Sequence, residues 1–522
     1  MSRAPSSSAR PATPAVRATR ATLAACPLLV AMLAALTGGS VGTARAAEAD
    51  AVEMEVEVEP PPWSDTPRSR PLAPPSTKHA DGSLDAAALQ SLVDSGEALF
   101  TRRFSAAEGG TRPMATQAIL PTKRRRAPRS DYARTSGLDA NACSGCHNEP
   151  VIGGAGDFSA NVFVSEGFRQ ADFDSTDPQF SNERNTNHLF GAGLIELLAR
   201  EMSRELQRAR RDALETARRS GEAVRATLNT KGVDFGTLVA HPDGRLDTRG
   251  LDGVDADLVI RPFGTKGVMT SLRQFTVNAL NHHHGIQAEE RFGARWTDEA
   301  DFDEDGLAHE IGAHGVSALV AWQATLPPPG RRVPSRDTGG RTLDAATQAA
   351  WTQAAERGEN AFGTFGCSDC HRPALPLDGL VFDDPGSFDA AGTLRRDEVP
   401  GMQYDLALRD WAASLPRDAL GRVLVPLFGD LKRHAIADRQ VDRLGNELLS
   451  QRFVERNVFQ TAELWGVGSS APYGHRGDIG TLGEVIEAHG GQARPSRQAW
   501  LDAPSALRDD VLAFLKTLRL PE

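Results

Sequence analysis

The 522-residue chain reads as mainly α-helical: two small helical lobes with long loops and few short strands. Three observations predict this. A five-residue element, C-x-x-C-H, occurs twice, at Cys143-Ser144-Gly145-Cys146-His147 and at Cys367-Ser368-Asp369-Cys370-His371. A stretch with helical character precedes each copy. Helix-start signals and Gly- or Pro-rich breaks then divide the remainder into short segments.

C-x-x-C-H is the attachment signature of a c-type haem. Two thiols at this spacing form thioethers to one porphyrin, and the adjacent His is placed under the iron as a ligand. With 5 Cys and 13 His in the chain, a chance match is expected roughly 0.001 times, so two by accident is about one in a million. A zinc site or a redox dithiol would explain the thiols but not the His after each pair. The expected lobes are therefore two cytochrome c-like haem domains, over residues 81–335 and 341–522, each carrying one covalently bound haem c through Cys143, Cys146 and His147 or through Cys367, Cys370 and His371.

Composition bounds the rest. Hydrophobic content of 40% and charged content of 24% are those of a globular protein. A net charge of −11 argues against a nucleic-acid partner. Residues 1–46 read as a signal peptide: Arg3, Arg10, Arg17 and Arg20 precede the apolar run Leu23 to Leu36, and Ala44-Arg45-Ala46 is an A-x-A cleavage site. The run is too short for a comfortable membrane span. Leu23-Ala24-Ala25-Cys26 superficially resembles an acylation box, but the apolar run follows Cys26, so lipidation is rejected. Export to the periplasm or beyond agrees with haem c, which is attached outside the bacterial cytoplasm. With Cys26 in the leader and four Cys committed to haem, no disulfide is expected. Residues 47–80, acidic and then Pro-rich, read as a linker.

In the first lobe, Ser83 to Phe104 carries Leu84, Leu89, Leu92, Leu99 and Phe100 at near-helical spacing, with Ser83 as its cap. The basic run Lys123-Arg124-Arg125-Arg126 reads as a solvated loop. After His147, the run Pro150 to Gly156 suits close approach of backbone to a porphyrin edge. Between Asn148 and Asn187 there is no His and no Met, so the N-terminal haem lacks a local sixth ligand and is expected to be open to peroxide or dioxygen, the alternative being that His188 or a later His swings in to close it. Gly191 to Leu228 reads as a long charged surface helix. Ser271-Leu272 opens a helix that ends in His282, His283 and His284 before Gly285. Successive helical residues diverge by about 100°, so one or two of the three can face one haem. Asp301, Asp303 and Asp305, followed by Gly306, have the spacing of a calcium loop. Glu310 stands near the closing position, where Gly312 occupies the usual place. A Ca²⁺ site and an acidic turn are both open readings.

In the second lobe, Thr342 to Phe362 is the helix before the motif. Thr481-Leu482-Gly483-Glu484 has capping-box spacing, and its helix ends at His489-Gly490-Gly491. A His at a helix end, followed by a Gly stop, is placed to reach the second haem, with His434 or Met402 as substitutes. Ser505 is expected to cap a final helix striped by Leu507, Val511, Phe514, Leu515 and Leu518.

These stretches, together with Gly191 to Glu196, Asp430 to His434, Leu464-Trp465-Gly466-Val467-Gly468 and Ala471-Pro472-Tyr473-Gly474-His475, resemble the bacterial di-haem cytochrome c peroxidase and MauG superfamily, in its di-haem oxidoreductase branch. The resemblance spans about residues 83 to 520. It implies one reactive haem and one that transfers electrons. His489 falls where such peroxidases carry the second haem's distal Met, which implies bis-His ligation with His371 and a lower potential than a thioether would give. It implies that His475 lies near the haems without ligating iron. The usual inter-haem Trp aligns with Thr265, and the distal Gln with Phe275. The distal Glu falls among His282, His283 and His284, one of which could move the proton that Glu moves in the peroxidases. An apolar Phe275 beside the iron resembles instead the di-haem rubber oxygenases. The expected activity is a di-haem oxidoreductase, peroxidase-like, with a small-molecule oxidant and an electron-donor protein as partners. A dioxygenase cleaving an apolar substrate and a non-catalytic electron-transfer cytochrome are the alternatives.

Overall fold

The computed structural model describes His79, Ser136 and residues 82–110, 140–156, 159–164, 181–337, 339–389, 401–445 and 454–522. The expected leader, Cys26, all of the 47–80 linker but His79, and the run Lys123 to Arg126 lie outside the described residues. What is described belongs to one compact unit.

The fold is mainly helical, with small antiparallel sheets. Its helices are α1 (Ala86–Thr101), α2 (Ala192–Ser220), α3 (Leu272–Ala279), α4 (Glu289–Phe292), α5 (Ala294–Thr297), α6 (Ala313–Thr325), α7 (Ala345–Thr364), α8 (Leu482–Glu487), α9 (Arg494–Asp502) and α10 (Ser505–Leu515). Strands Val224–Thr230, Val233–Ala240 and Leu246–Asp247 form a three-stranded sheet, and the other described sheets have two strands each. α6 is buried from Gly315 to Thr325 and forms the axis of the larger core, which α1 and α2 pack around. Residues Leu375 to Leu431 add to that same core. A smaller core joins α7 to α10.

Several local readings hold, and others are corrected. Thr481 and Glu484 form the capping box, and Ser271 caps α3 by accepting from the Gln274 amide. After α3 the chain widens into a π turn over Leu280–His284, and Gly285 stops it at φ 72°. α1 is capped by Asp85, whose Oδ1 accepts from the Ala88 amide at 2.8 Å, and not by Ser83. α10 follows Pro504 without a side-chain cap, so Ser505 is its first residue. The charged helix ends at Ser220 and not at Leu228. Gly221 turns left-handed, and the β-branched run from Val224 pairs with the strand Val233–Ala240. Nor is it purely a surface helix: Ala192 to Ser203 is buried. Its charges there are paired, Arg200 with Glu196, as burial of charge requires.

Candidate functional site: two repeated histidine centres

One packing unit occurs twice. α1 crosses α6 at Gly96, where a Cβ would stand 2.0 Å from the Ala318 carbonyl oxygen. α7 crosses α10 at Gly358, where a Cβ would stand 1.9 Å from the Asp510 carbonyl oxygen. Only glycine permits such close crossings. Four residues on, one helical turn and on the same face, each helix places a Phe against the motif His. Phe100 lies 6.0 Å from His147 and 4.1 Å from Trp322 of the crossing helix, centroid to centroid. Phe362 lies 6.3 Å from His371 and 5.6 Å from Phe514 of its crossing helix. The sequence carries the signal for this, G-E-x-x-F, at Gly96 to Phe100 and again at Gly358 to Phe362. Our reading of the sequence missed it.

Each motif's thiols are unpaired, and each pair opens a short 3-10 turn. Burial pushes the Cys143 thiol up to about 12 and Cys367 up to about 11. A zinc site or a redox dithiol needs thiolates, which burial disfavours at Cys143 and Cys367. Two thiols outside any disulfide beside a buried imidazole, twice over, fit covalent attachment of a porphyrin.

The histidines test the fit further. His371 Nδ1 donates to the Phe428 carbonyl at 3.2 Å, and His489 Nδ1 donates to the Val485 carbonyl at 2.7 Å. Carbonyls only accept, so each ring keeps its proton on Nδ1 and offers a bare Nε2, as an iron-ligating imidazole does. Burial and the neighbouring His489 lower His371 to about 4, and burial lowers His489. Two neutral imidazoles close enough to feel each other suit the two faces of one haem. His147 differs. Burial holds it at about 4, and the carbonyls of Asn187 and Gly154 lie near, but its Nδ1 makes no hydrogen bond.

The His triplet is split. His284 is buried, with Nδ1 2.9 Å from the Ala140 carbonyl and Nε2 3.3 Å from Cys143 Sγ, so it braces the attachment loop. His283 Nδ1 pairs with Ser136 Oγ. Burial lowers it to about 4, and His147 is close enough to contribute. His282 is buried, its ring 6.4 Å from that of His283. Phe275 makes its described ring contact with Phe263, at 6.4 Å, and not with a motif residue. His475 stacks on Phe459 at 4.5 Å with Nε2 buried and unpartnered; burial, with Arg184, Lys266 and Arg476 nearby, lowers it to about 3.

The substitutes for His489 fare poorly. His434 Nε2 lies 2.8 Å from Asp430, and its Nδ1 lies 3.1 Å from Gln492 Oε1 and 3.9 Å from Cys370 Sγ. Burial alone would lower it, but Asp430 and Cys370 outweigh burial and raise it to about 10. An imidazolium with both nitrogens engaged is no ligand. Met402 is 2% exposed in the larger core, in the strand Met402–Asp405.

Asp301, Asp303 and Asp305 bring carboxylate oxygens within 4.8 Å of one another, with Asp303 buried. Glu310 accepts from the Gln287 amide at 2.7 Å. Its carboxyl is raised, first by burial and then by Asp303, Asp305 and Asp301, so it joins the same acidic patch.

No family model matches the chain, and no curated protein matches it. Among solved structures it is similar to Kuenenia stuttgartiensis hydrazine synthase, at 13% identity and a TM-score of 0.32, covering 91% of this chain and 100% of that one. It is also similar to a MauG-like protein associated with microbial copper homeostasis, at 17% identity and a TM-score of 0.26, covering 53% of this chain and 77% of that one. Likenesses at that level carry no argument about fold or activity here. No described helix is long and apolar enough to cross a membrane.

Proposed function

We propose that the chain is an exported di-haem c oxidoreductase, peroxidase-like, in which the haem on His147 meets the oxidant and the haem on His371 and His489 transfers electrons from a donor protein. The observation that carries this is the repeated glycine–phenylalanine–histidine unit with unequal surroundings. His371 is matched by His489, whose Nε2 is bare, whereas the imidazoles near His147 are each held by another group, His283 by Ser136 and His188 by the Trp465 carbonyl.

When bound, haem supplies a redox iron at each centre, and an iron with a free face can take up peroxide or dioxygen. The chain's own residues do the rest. Cys143, Cys146, Cys367 and Cys370 tether the porphyrins. Phe100 and Phe362 wall the motif imidazoles and exclude water. His284 fixes the Cys143 side of its loop. His283 is the member of the triplet placed for proton transfer: it stands close enough to His147 to feel it, and burial keeps it neutral near pH 7, so its ring is free to take a proton although it is a weak base. His282 packs behind it. His475 stays outside the ligand sets.

Electron paramagnetic resonance of the purified ferric protein tests the assignment. A high-spin and a low-spin signal of equal weight are expected, with rapid oxidation by stoichiometric peroxide. Two low-spin signals would instead make the chain an electron carrier. A stable dioxygen complex as isolated would make it a dioxygenase. We also propose that Asp301, Asp303, Asp305 and Glu310 hold Ca²⁺, on the strength of their convergence.

A further inference from the structure

His188 belongs to neither C-x-x-C-H element, yet it stands where the chain leaving the first meets the chain leaving the second. Its Nε2 lies 2.9 Å from the Trp465 carbonyl oxygen. That oxygen only accepts, so Nε2 carries the proton and Nδ1, buried and unpartnered, is a bare acceptor.

Two glycines make the approach possible. A Cβ on Gly466, at φ 88°, would stand 2.8 Å from His188 Nε2, and one on Gly191, at φ 80°, would stand 2.6 Å from the Trp465 ring. From His188 the connection to the first motif is short. The Leu189 amide donates to the Gly153 carbonyl at 2.8 Å, and the Gly153 amide donates to the His147 carbonyl at 2.9 Å. From Trp465 the connection to the second motif is equally short. The Leu464 amide donates to the Phe428 carbonyl at 3.4 Å, and that carbonyl accepts from His371 Nδ1 at 3.2 Å. An unbroken run of covalent and hydrogen bonds thus joins the two motif histidines, and the His188–Trp465 hydrogen bond is the link that crosses between them. Trp465 is 2% exposed, so water does not compete along this stretch.

We propose that His188 and the Trp465–Gly466 peptide form the fixed bridge through which an electron passes between the two C-x-x-C-H centres. This rests on the di-haem reading above. The step moves one electron and nothing else: the C-terminal centre is oxidised by one, the N-terminal centre is reduced by one, and no bond forms or breaks. His188 and Trp465 act as positioning residues, holding the hydrogen bond that crosses between the two centres.

The test uses the full haem-loaded protein. Photoreduced flavin delivers one electron in a flash, and absorbance then follows its equilibration between the two centres. His188→Phe keeps the ring's bulk and removes the donor; it should retain both haems and slow equilibration several-fold. His188→Gln, which can still donate to the carbonyl, should restore much of the rate. Gly466→Ala, which pushes the imidazole away, should slow it as the Phe variant does. A haemochrome spectrum and intact mass on each protein separate the two claims. Wild-type protein without two covalent haems overturns the di-haem reading and the bridge with it. Two haems with an unchanged rate in His188→Phe overturn the bridge alone. Should His188→Phe lose haem, Gly466→Ala decides: an unchanged rate overturns the bridge, and a slowed rate supports it.

Discussion

Arg273 Nη1 stands 2.9 Å from each carboxylate oxygen of Asp384. The other side of the same guanidinium holds Glu290, at 2.6 Å from Nη2. All three residues are at most 2% exposed. The triad ties α3 and α4 to the strand Val381–Asp384, a segment that follows the second motif in sequence but packs into the core of the first. Removing the cation would leave two carboxylates buried without their partner. Arg273→Leu should therefore cost about 3–5 kcal/mol, read as a fall in the urea midpoint at unchanged slope. A loss below about 1 kcal/mol would show that the triad is open to water.

His489→Ala should convert the C-terminal haem from low-spin to high-spin and leave the N-terminal signal as it was. The geometry leaves no ready replacement, because His434 is a protonated partner of Asp430 and Met402 is buried in another core. Persistence of the low-spin signal in this variant would place the sixth ligand elsewhere. The companion Cys367→Ala should weaken covalent attachment at that centre alone, visible as free haem released by acid acetone.

Calcium should raise the thermal midpoint of protein stripped with a chelator, and terbium should luminesce at the same site. Asp303→Asn removes the most buried charge of the patch and should abolish both effects, whereas Glu304→Gln, on an exposed residue of the same loop, should leave them. Equal responses in the two variants would reduce the patch to an acidic turn.

Acid should weaken the fold through His188. Burial, offset in part by the Trp465 carbonyl and helped by the neighbouring His147, lowers it to about 4 from an ordinary value of 6.5. A depressed folded-state pKa contributes stability that is present above the unfolded value and lost as pH falls through the folded one. The window therefore runs from about pH 6.5 down to about 4, and the contribution is at most about 3 kcal/mol. His147, His371 and His283 titrate over the same window, so His188→Phe should make this limb of a midpoint-against-pH plot shallower by one histidine's share while lowering the plateau above pH 7. An unchanged acid limb would assign the loss to other groups.

Short-range chemistry in the sequence was easy to read. The thiol spacing, the Ser271 cap, the Thr481 capping box and the Asp301 loop are decided by residues within about one helical turn of each other. The readings that failed needed partners distant in sequence. The buried half of α2 is apolar only in part, and its Glu196 is tolerated because Arg200 and the Leu272 amide satisfy it. His434 looked like a ligand until Asp430 and Gln492 closed on it. His188 was legible only as a His that could swing in to close the first centre, and its partner, the Trp465 carbonyl, lies 277 positions away. The G-E-x-x-F repeat was legible in principle, since two glycines at matched places before two identical motifs mark a shared crossing.

That shared crossing has the same weak point in both copies. A single methyl at position 96 or position 358 meets backbone rather than a movable side chain, so the helices must part for it to fit. Gly96→Ala and Gly358→Ala therefore act as two wedges of equal size driven into two copies of one joint. Fitting them one at a time would weigh how far each motif histidine depends on its own crossing.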